Sequence, residues 1–199
     1  MGTERAPDER GRVGGLVLAA GRSRRFGDRN KLLANVHEKP VVTHATETVV
    51  ESAVDEVVVI VGFEADRVGA ALDSLPVDLR RNDEYEEGQS TSVATGVAAA
   101  RERGWDAVVF ALGDMPFVDV ATVDSLVSEY VLTGDSIIAP AYQGRRGNPV
   151  LFGRPHFGAL GNVEGDIGGR ELVESHGRLL SVDDSGIHRD IDHPSDLDQ

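Results

Sequence analysis

Valine-rich apolar runs that recur between segments of helical pattern constrain this chain more than any other feature. "VGGLVLAA" (13–20), "EVVVIVG" (56–62) and "DAVVFAL" (106–112) are apolar at successive positions, so strands built from them are buried on both faces. Helical patterns lie at 40–52, opening on a proline, and at 64–74, 90–103 and 119–132. A short strand is predicted near 77–81, and another apolar run covers 135–142. Strand and helix in alternation specify an α/β fold around a mostly parallel sheet. Beyond 142 the pattern changes to short strands and loops, with a helix at 168–176 and strands near 178–182 and 187–191. The stretch 140–185 reads as a subdomain appended over one side of the site. Residues 1–12 are charged and aperiodic and read as a disordered tail, leaving 13–199 as a single domain.

The chain carries 34 acidic against 20 basic residues, and only two of the basic ones, Lys31 and Lys39, are lysines. Its net charge of −14 repels nucleic acid and anionic headgroups, so neither is an expected partner. Such an acidic, lysine-poor composition fits a salt-rich cytoplasm, where screening weakens self-repulsion, or an ordinary acidic protein. The absence of cysteine excludes disulfides, zinc–thiolate centres and thiol nucleophiles. No apolar run approaches the roughly 18 residues that span a bilayer, and "MGTERAPDERGR" lacks the apolar core of a signal peptide; a soluble, cytoplasmic protein is expected. The six histidines form no H-E-x-x-H motif and no G-x-S-x-G elbow exists, which leaves imidazole-bound metal and serine hydrolysis without support.

Against that acidity, "LVLAAGRSRRFGDRNKLL" (16–33) gathers four arginines and Lys31 directly after the first strand. Ligands of open parallel sheets bind there, at the carboxyl ends of the strands. Gly21 admits backbone angles closed to other residues and close approach of a ligand. Arg22, Arg24, Arg25 and Lys31 supply the guanidinium forks and ammonium of a phosphate cradle. The loop is neither a Walker A motif, since the chain has no Gly-Lys pair, nor a G-x-G-x-x-G fingerprint. In "VVFALGDMPFV" (108–118), Asp114 suits a hard divalent cation or the cap of the following helix. "DIDHPSDL" (190–197) offers Asp190 and Asp192, either as a second carboxylate source for a magnesium bridging phosphates or as an acidic cap. "EEGQSTSVATG" (86–96) puts Gly88, Gln89, Ser90 and Ser92 at a helix start, to read a base edge or phosphate or to cap the helix. "QGRRGNPVLF" (143–152) and "EGDIGGRELV" (164–173) are candidate clamps for a second anionic substrate, although a hairpin turn also explains the glycines of the first.

In chain order, "LAAGRSRRFGDRNKLL", "LGDMPFV", "GRRGNPVLF", "GDIGGRELV" and "DIDHPSDL" resemble the MobA-like nucleotidyltransferases, most closely the molybdenum cofactor cytidylyltransferases, from about residue 13 to the end. The resemblance implies a Rossmann-like nucleotidyltransferase fold of the nucleotide-diphospho-sugar transferase type, three α/β/α layers with a mostly parallel sheet. It implies transfer of CMP from CTP to the terminal phosphate of molybdenum–molybdopterin with release of pyrophosphate. Magnesium would be the metal, with manganese as the alternative, and a molybdenum oxidoreductase apoprotein is a candidate partner. By position, the main chain of Leu18, Ala19, Ala20 and Gly21, with Arg22, would hold the nucleotide. Arg25, Lys31 and Asp114 would be catalytic, the first two neutralising phosphates, and Asp114 and Asp192 would hold the metal. Gly88, Ser90 and Ser92 would lie near the base or ribose. Arg146 and Asn148 would face the pterin phosphate, and Asp166 would complete the binding set. Relatives that transfer GMP read Gly-Gly where this chain has Ala20-Gly21, which favours CTP, and Asn148 stands where the family pattern has histidine. The alternatives are a guanylyltransferase on the same pterin, a nucleotidyltransferase on another phosphorylated small molecule, and a non-catalytic chaperone for the molybdenum cofactor. A chaperone need not keep both Asp114 and Asp192.

Overall fold

The computed structural model describes residues 11–23, 26–27, 29–162 and 169–198. In β1 (Val13–Ala19) the two-residue strand period sends Leu16 to one face and Val17 and Ala19 to the other. β4 (Glu56–Val61) and β6 (Ala107–Leu112) divide their side chains in the same way. Both pair with β1 in parallel, with Ala19 opposite Val61 and Leu18 opposite Leu112, so the three carboxyl ends finish level. β5 (Asp78–Arg81) extends the sheet in parallel beyond β4.

The face of Val17, Val59 and Val109 is covered by α1 (Val41–Val50), α2 (Ala65–Ala70) and α4 (Val120–Thr133). The face of Leu16, Ile60 and Phe110 is covered by α3 (Gln89–Glu102), α5 (Phe157–Leu160) and α6 (Arg170–His176). These are the three α/β/α layers that the family resemblance implies. Close approach of the layers needs the bare backbone of β1, because a Cβ at Gly14 would come within 2.0 Å of the fully buried Trp105 ring.

The second half of the chain departs from expectation. β7 (Ile137–Tyr142), β9 (Val150–Gly153) and β10 (Arg178–Ser181) join the same sheet, in the order β10-β7-β9-β6-β1-β4-β5, with β9 antiparallel to both neighbours. The 140–185 stretch is therefore not an appendage; it inserts an all-buried strand into the middle of the sheet. β8 (Arg145–Arg146) folds back on β7 through Gln143 and Gly144, both at positive φ, which is the hairpin alternative for those glycines. A separate small hairpin joins β2 (Asn35–Val36) to β3 (Lys39–Pro40). No strand forms at 187–191. Ser185–His188 is instead a 3-10 turn held by the Asp184 carboxylate, which accepts Gly186 N–H at 2.7 Å, and Ile187 and Ile191 enter the core separately. Arg12, assigned to the tail, is tied to the fold: its N–H donates to Asp106 at 2.9 Å and its guanidinium to the Arg103 carbonyl at 2.9 Å. Among the described residues, no helix is long and apolar enough to cross a membrane.

Candidate active site

The level ends of β1, β4 and β6 open into a cleft of about 510 Å³. Leu18 of β1 and Ala20, Gly21, Arg22 and Ser23 of the loop after it line one side, and Tyr85 to Gln89 with Ser92 line the cleft from the entry to α3. Lys31, Asp114 and Asp192 complete it. Ala19, at the end of β1, is buried and lies outside the lining.

The described residues of the first loop differ from expectation in which of them take the left-handed conformation. Gly21 does not use the left-handed region; its contribution is open space, since a Cβ there would meet nothing within 4 Å. Left-handed backbone falls instead on Ser23, with φ 53, and on Gly27, with φ 82. The first of these anchors the loop. Its buried hydroxyl donates to Asn30 Oδ1 at 3.2 Å and accepts Lys31 N–H at 3.1 Å, while Asn30 Oδ1 also accepts Leu32 N–H at 3.1 Å. A capped 3-10 turn, Lys31–Leu33, thereby aims Lys31 into the cleft. Arg22 reaches across to Glu86 at 2.9 Å. Arg24, Arg25 and Asp166 lie outside the described residues.

The Lys31 ammonium stands 2.7 Å from Asp114 Oδ2 and 2.8 Å from Asp192 Oδ1, with only 14% of its side chain exposed. Burial is the largest single influence on it and disfavours the charge, but Asp114 and Asp192 together outweigh burial and raise its pKa above 10.5. Burial likewise raises the Asp114 carboxyl; Lys31 opposes that shift and Asp190 adds to it. Asp114 does not cap α4. The helix begins after Asp119, and the buried Asp184 carboxylate accepts Asp119 N–H at 3.0 Å and the Thr122 hydroxyl at 2.7 Å. Asp114 Oδ1 is buried with no hydrogen-bond partner, and Asp114, Asp190 and Asp192 each offer an oxygen, all within 4.8 Å of one another. An orphaned buried oxygen in an all-carboxylate set fits a hard divalent cation. Asp196 fixes the geometry of Asp192 by accepting the N–H groups of Asp192 and His193 at 2.9 and 2.7 Å, and these bonds hold its own pKa low.

Gly88 enters α3 at φ 123, a conformation suited to glycine. Gln89 and Ser92 face the cleft, and the Ser92 hydroxyl accepts from Asn82 Nδ2 at 2.9 Å. Ser90, about 100° round the helix from Gln89, is buried and lies outside the lining. A second cavity of about 210 Å³ adjoins the cleft, sharing Leu18 and Gln89 with it. Arg146, Asn148 and Arg170 line this cavity against an apolar wall that includes Phe110, Phe152 and Val173. Among the described residues, neither Arg146 nor Arg170 has an ion-pair partner, whereas Arg12, Arg80, Arg103, Arg154 and Arg178 are all paired. Sequence reasoning did not assign Tyr85, Glu86 or Arg170, and it noted Asp190 without giving it to the metal. The Asp190–Asp192 spacing and the "GGR" turn were the available signals.

The description "MobA-like NTP transferase domain" matches residues 15–179. The chain belongs to that family. It is 31% identical over 195 residues to the purine catabolism protein PucB of Bacillus subtilis, across 92% of this chain and 93% of PucB. Rv0371c from Mycobacterium tuberculosis, solved in complex with manganese, superposes with a TM-score of 0.80 at 28% identity, across 94% of this chain and 96% of that one. A nucleotidyl transferase from Methanothermobacter thermautotroptrophicus superposes with a TM-score of 0.78 at 27% identity, across 93% and 94% of the two chains. This MobA-like protein is thus a nucleotidyltransferase of Rossmann-like fold, with its cleft at the carboxyl edge of the sheet.

Proposed function

We propose that this MobA-like transferase is a cytoplasmic enzyme that moves CMP from CTP to the terminal phosphate of molybdenum-loaded molybdopterin, releases pyrophosphate, and serves a molybdenum oxidoreductase apoprotein. The observation that carries this reading is the meeting of two cavities at Leu18 and Gln89, one holding Lys31 among carboxylates and the other holding Arg146 and Arg170, which have no ion-pair partner among the described residues. The triphosphate occupies the first, against the main chain of Leu18 to Gly21, with Arg22, Arg25 and Lys31 as counter-charges. The acceptor occupies the second, its phosphate held by Arg146 and Arg170 and oriented by Asn148; Asp166 belongs to the same binding set.

An ionised acceptor phosphate needs no general base and no protein nucleophile. Its oxygen bonds to the α-phosphorus as the bond to the β-phosphate oxygen breaks, and pyrophosphate carries away that electron pair. The chain's part is to hold both phosphates in line and to oppose the charge that builds on the leaving group. A divalent cation, magnesium or manganese, held by Asp114, Asp190 and Asp192 would supply further neutralisation of the triphosphate. The Ala20 methyl, lining the cleft where guanylyl-transferring relatives have glycine, narrows the base site toward a pyrimidine. Arg146→Ala is expected to raise the acceptor KM by about tenfold or more while leaving the KM for CTP unchanged; an unaltered acceptor KM contradicts the assignment.

A further inference from the structure

We infer that Lys31 is a tethered counter-cation that keeps the carboxylate cluster closed to free divalent ions and releases it only when a polyphosphate arrives to receive the ammonium. This rests on the reading of the cleft as a triphosphate site.

The ammonium already occupies two of the three carboxylates that make up the donor set, at 2.7 and 2.8 Å. A magnesium ion takes carboxylate oxygens at about 2.0–2.1 Å, which would put two cations on the same carboxylates within a few ångströms, in a partly buried setting where their repulsion is weakly screened. The structure leaves Asp114 one buried oxygen without a partner while its other oxygen holds the lysine. The cluster therefore retains unused donor capacity that the lysine does not satisfy. Lys31 also lines the cleft with Gly21 and Arg22, so a polyphosphate bound there offers its ammonium new oxygens without the side chain leaving the site. Metal and polyphosphate then bind with positive coupling, each raising the affinity for the other.

The composition allows a direct test, because Lys31 and Lys39 are the only lysines and Lys39 is occupied elsewhere by Glu47 at 2.8 Å. In full-length protein labelled with ε-13C lysine, magnesium alone is expected to leave both side-chain signals in place. Magnesium with CTP, or with inorganic tripolyphosphate, is expected to move the Lys31 signal and not that of Lys39. By electron paramagnetic resonance, Lys31→Met is expected to bind manganese alone about tenfold tighter than the wild type. Movement of Lys31 by magnesium alone, a stationary Lys31 signal in a complex whose bound CTP is seen by other means, or equal manganese affinity in the two proteins would each overturn the inference. Should tripolyphosphate move Lys31 while CTP fails to bind, the coupling stands and the CTP reading fails. If Lys31→Met does not fold, the wild-type spectra decide.

Discussion

Lys31 stays charged beside two carboxylates although burial opposes it, and that balance has consequences away from catalysis. Its folded-state pKa is raised, so the stability it contributes is fully present below pH 10.5 and is lost as pH rises through the raised value. Urea denaturation followed from neutral pH to above 10.5 is expected to show this alkaline loss in the wild type and not in Lys31→Met. Asp114→Asn is expected to lower nucleotidyl transfer by about 10²–10³-fold with the fold retained, judged by circular dichroism beside the activity assay; full activity would remove Asp114 from the site. Lys31 and Asp114 are legible in the sequence because one follows a glycine-bearing loop and the other stands just past an apolar strand; Asp192 is legible from its acidic "DIDHPSDL" stretch, although the strand expected before it does not form. Asp184 and Asp196 are not, since an aspartate among so many loop aspartates acquires meaning only from the N–H groups that folding brings to it.

At the scale of elements, β1 positions everything else, and its glycines are where it is vulnerable. Gly14→Ala drives a methyl into the fully buried Trp105 ring and is expected to cost about 1–3 kcal/mol, seen as a lowered melting temperature. Gly21→Ala faces open space, so it is expected to leave the melting temperature unchanged and to weaken nucleotide binding. β1, β4 and β6 are readable from sequence because burial on both faces leaves an unbroken apolar run. The placement of β9 is not, because an antiparallel insertion depends on partners far along the chain. The β2–β3 hairpin turns on His37 and Glu38 at φ 46 and 72, without the Asn-Gly pair that marks such turns, so the sequence carries no signal for it. The strand expected at 187–191 fails because its apolar residues, Ile187 and Ile191, anchor separately while the backbone between them serves the Asp184 turn and the site.

The molecule as a whole carries a net charge of −14, and its exposed ion pairs, such as Arg80 with Glu102, contribute little each. Self-repulsion is then the larger electrostatic influence on stability, and the melting temperature is expected to rise between low and molar potassium chloride. A melting temperature that falls with salt would assign the acidity another role. Fold class and nucleotide cleft follow from patterns that repeat along the chain. The second cavity, where we place the acceptor, depends on β8, β9 and α6 converging; the "GRRGNP" and "GDIGGRELV" stretches mark residues of it, but only the fold brings them together. The most direct test of cytidylyl transfer is pyrophosphate release from purified protein, magnesium and molybdenum-loaded molybdopterin, with CTP compared against GTP, ATP and UTP at low and molar potassium chloride. Release that needs the acceptor and prefers CTP is the expected result; release that prefers GTP, or none with any nucleotide, would contradict it.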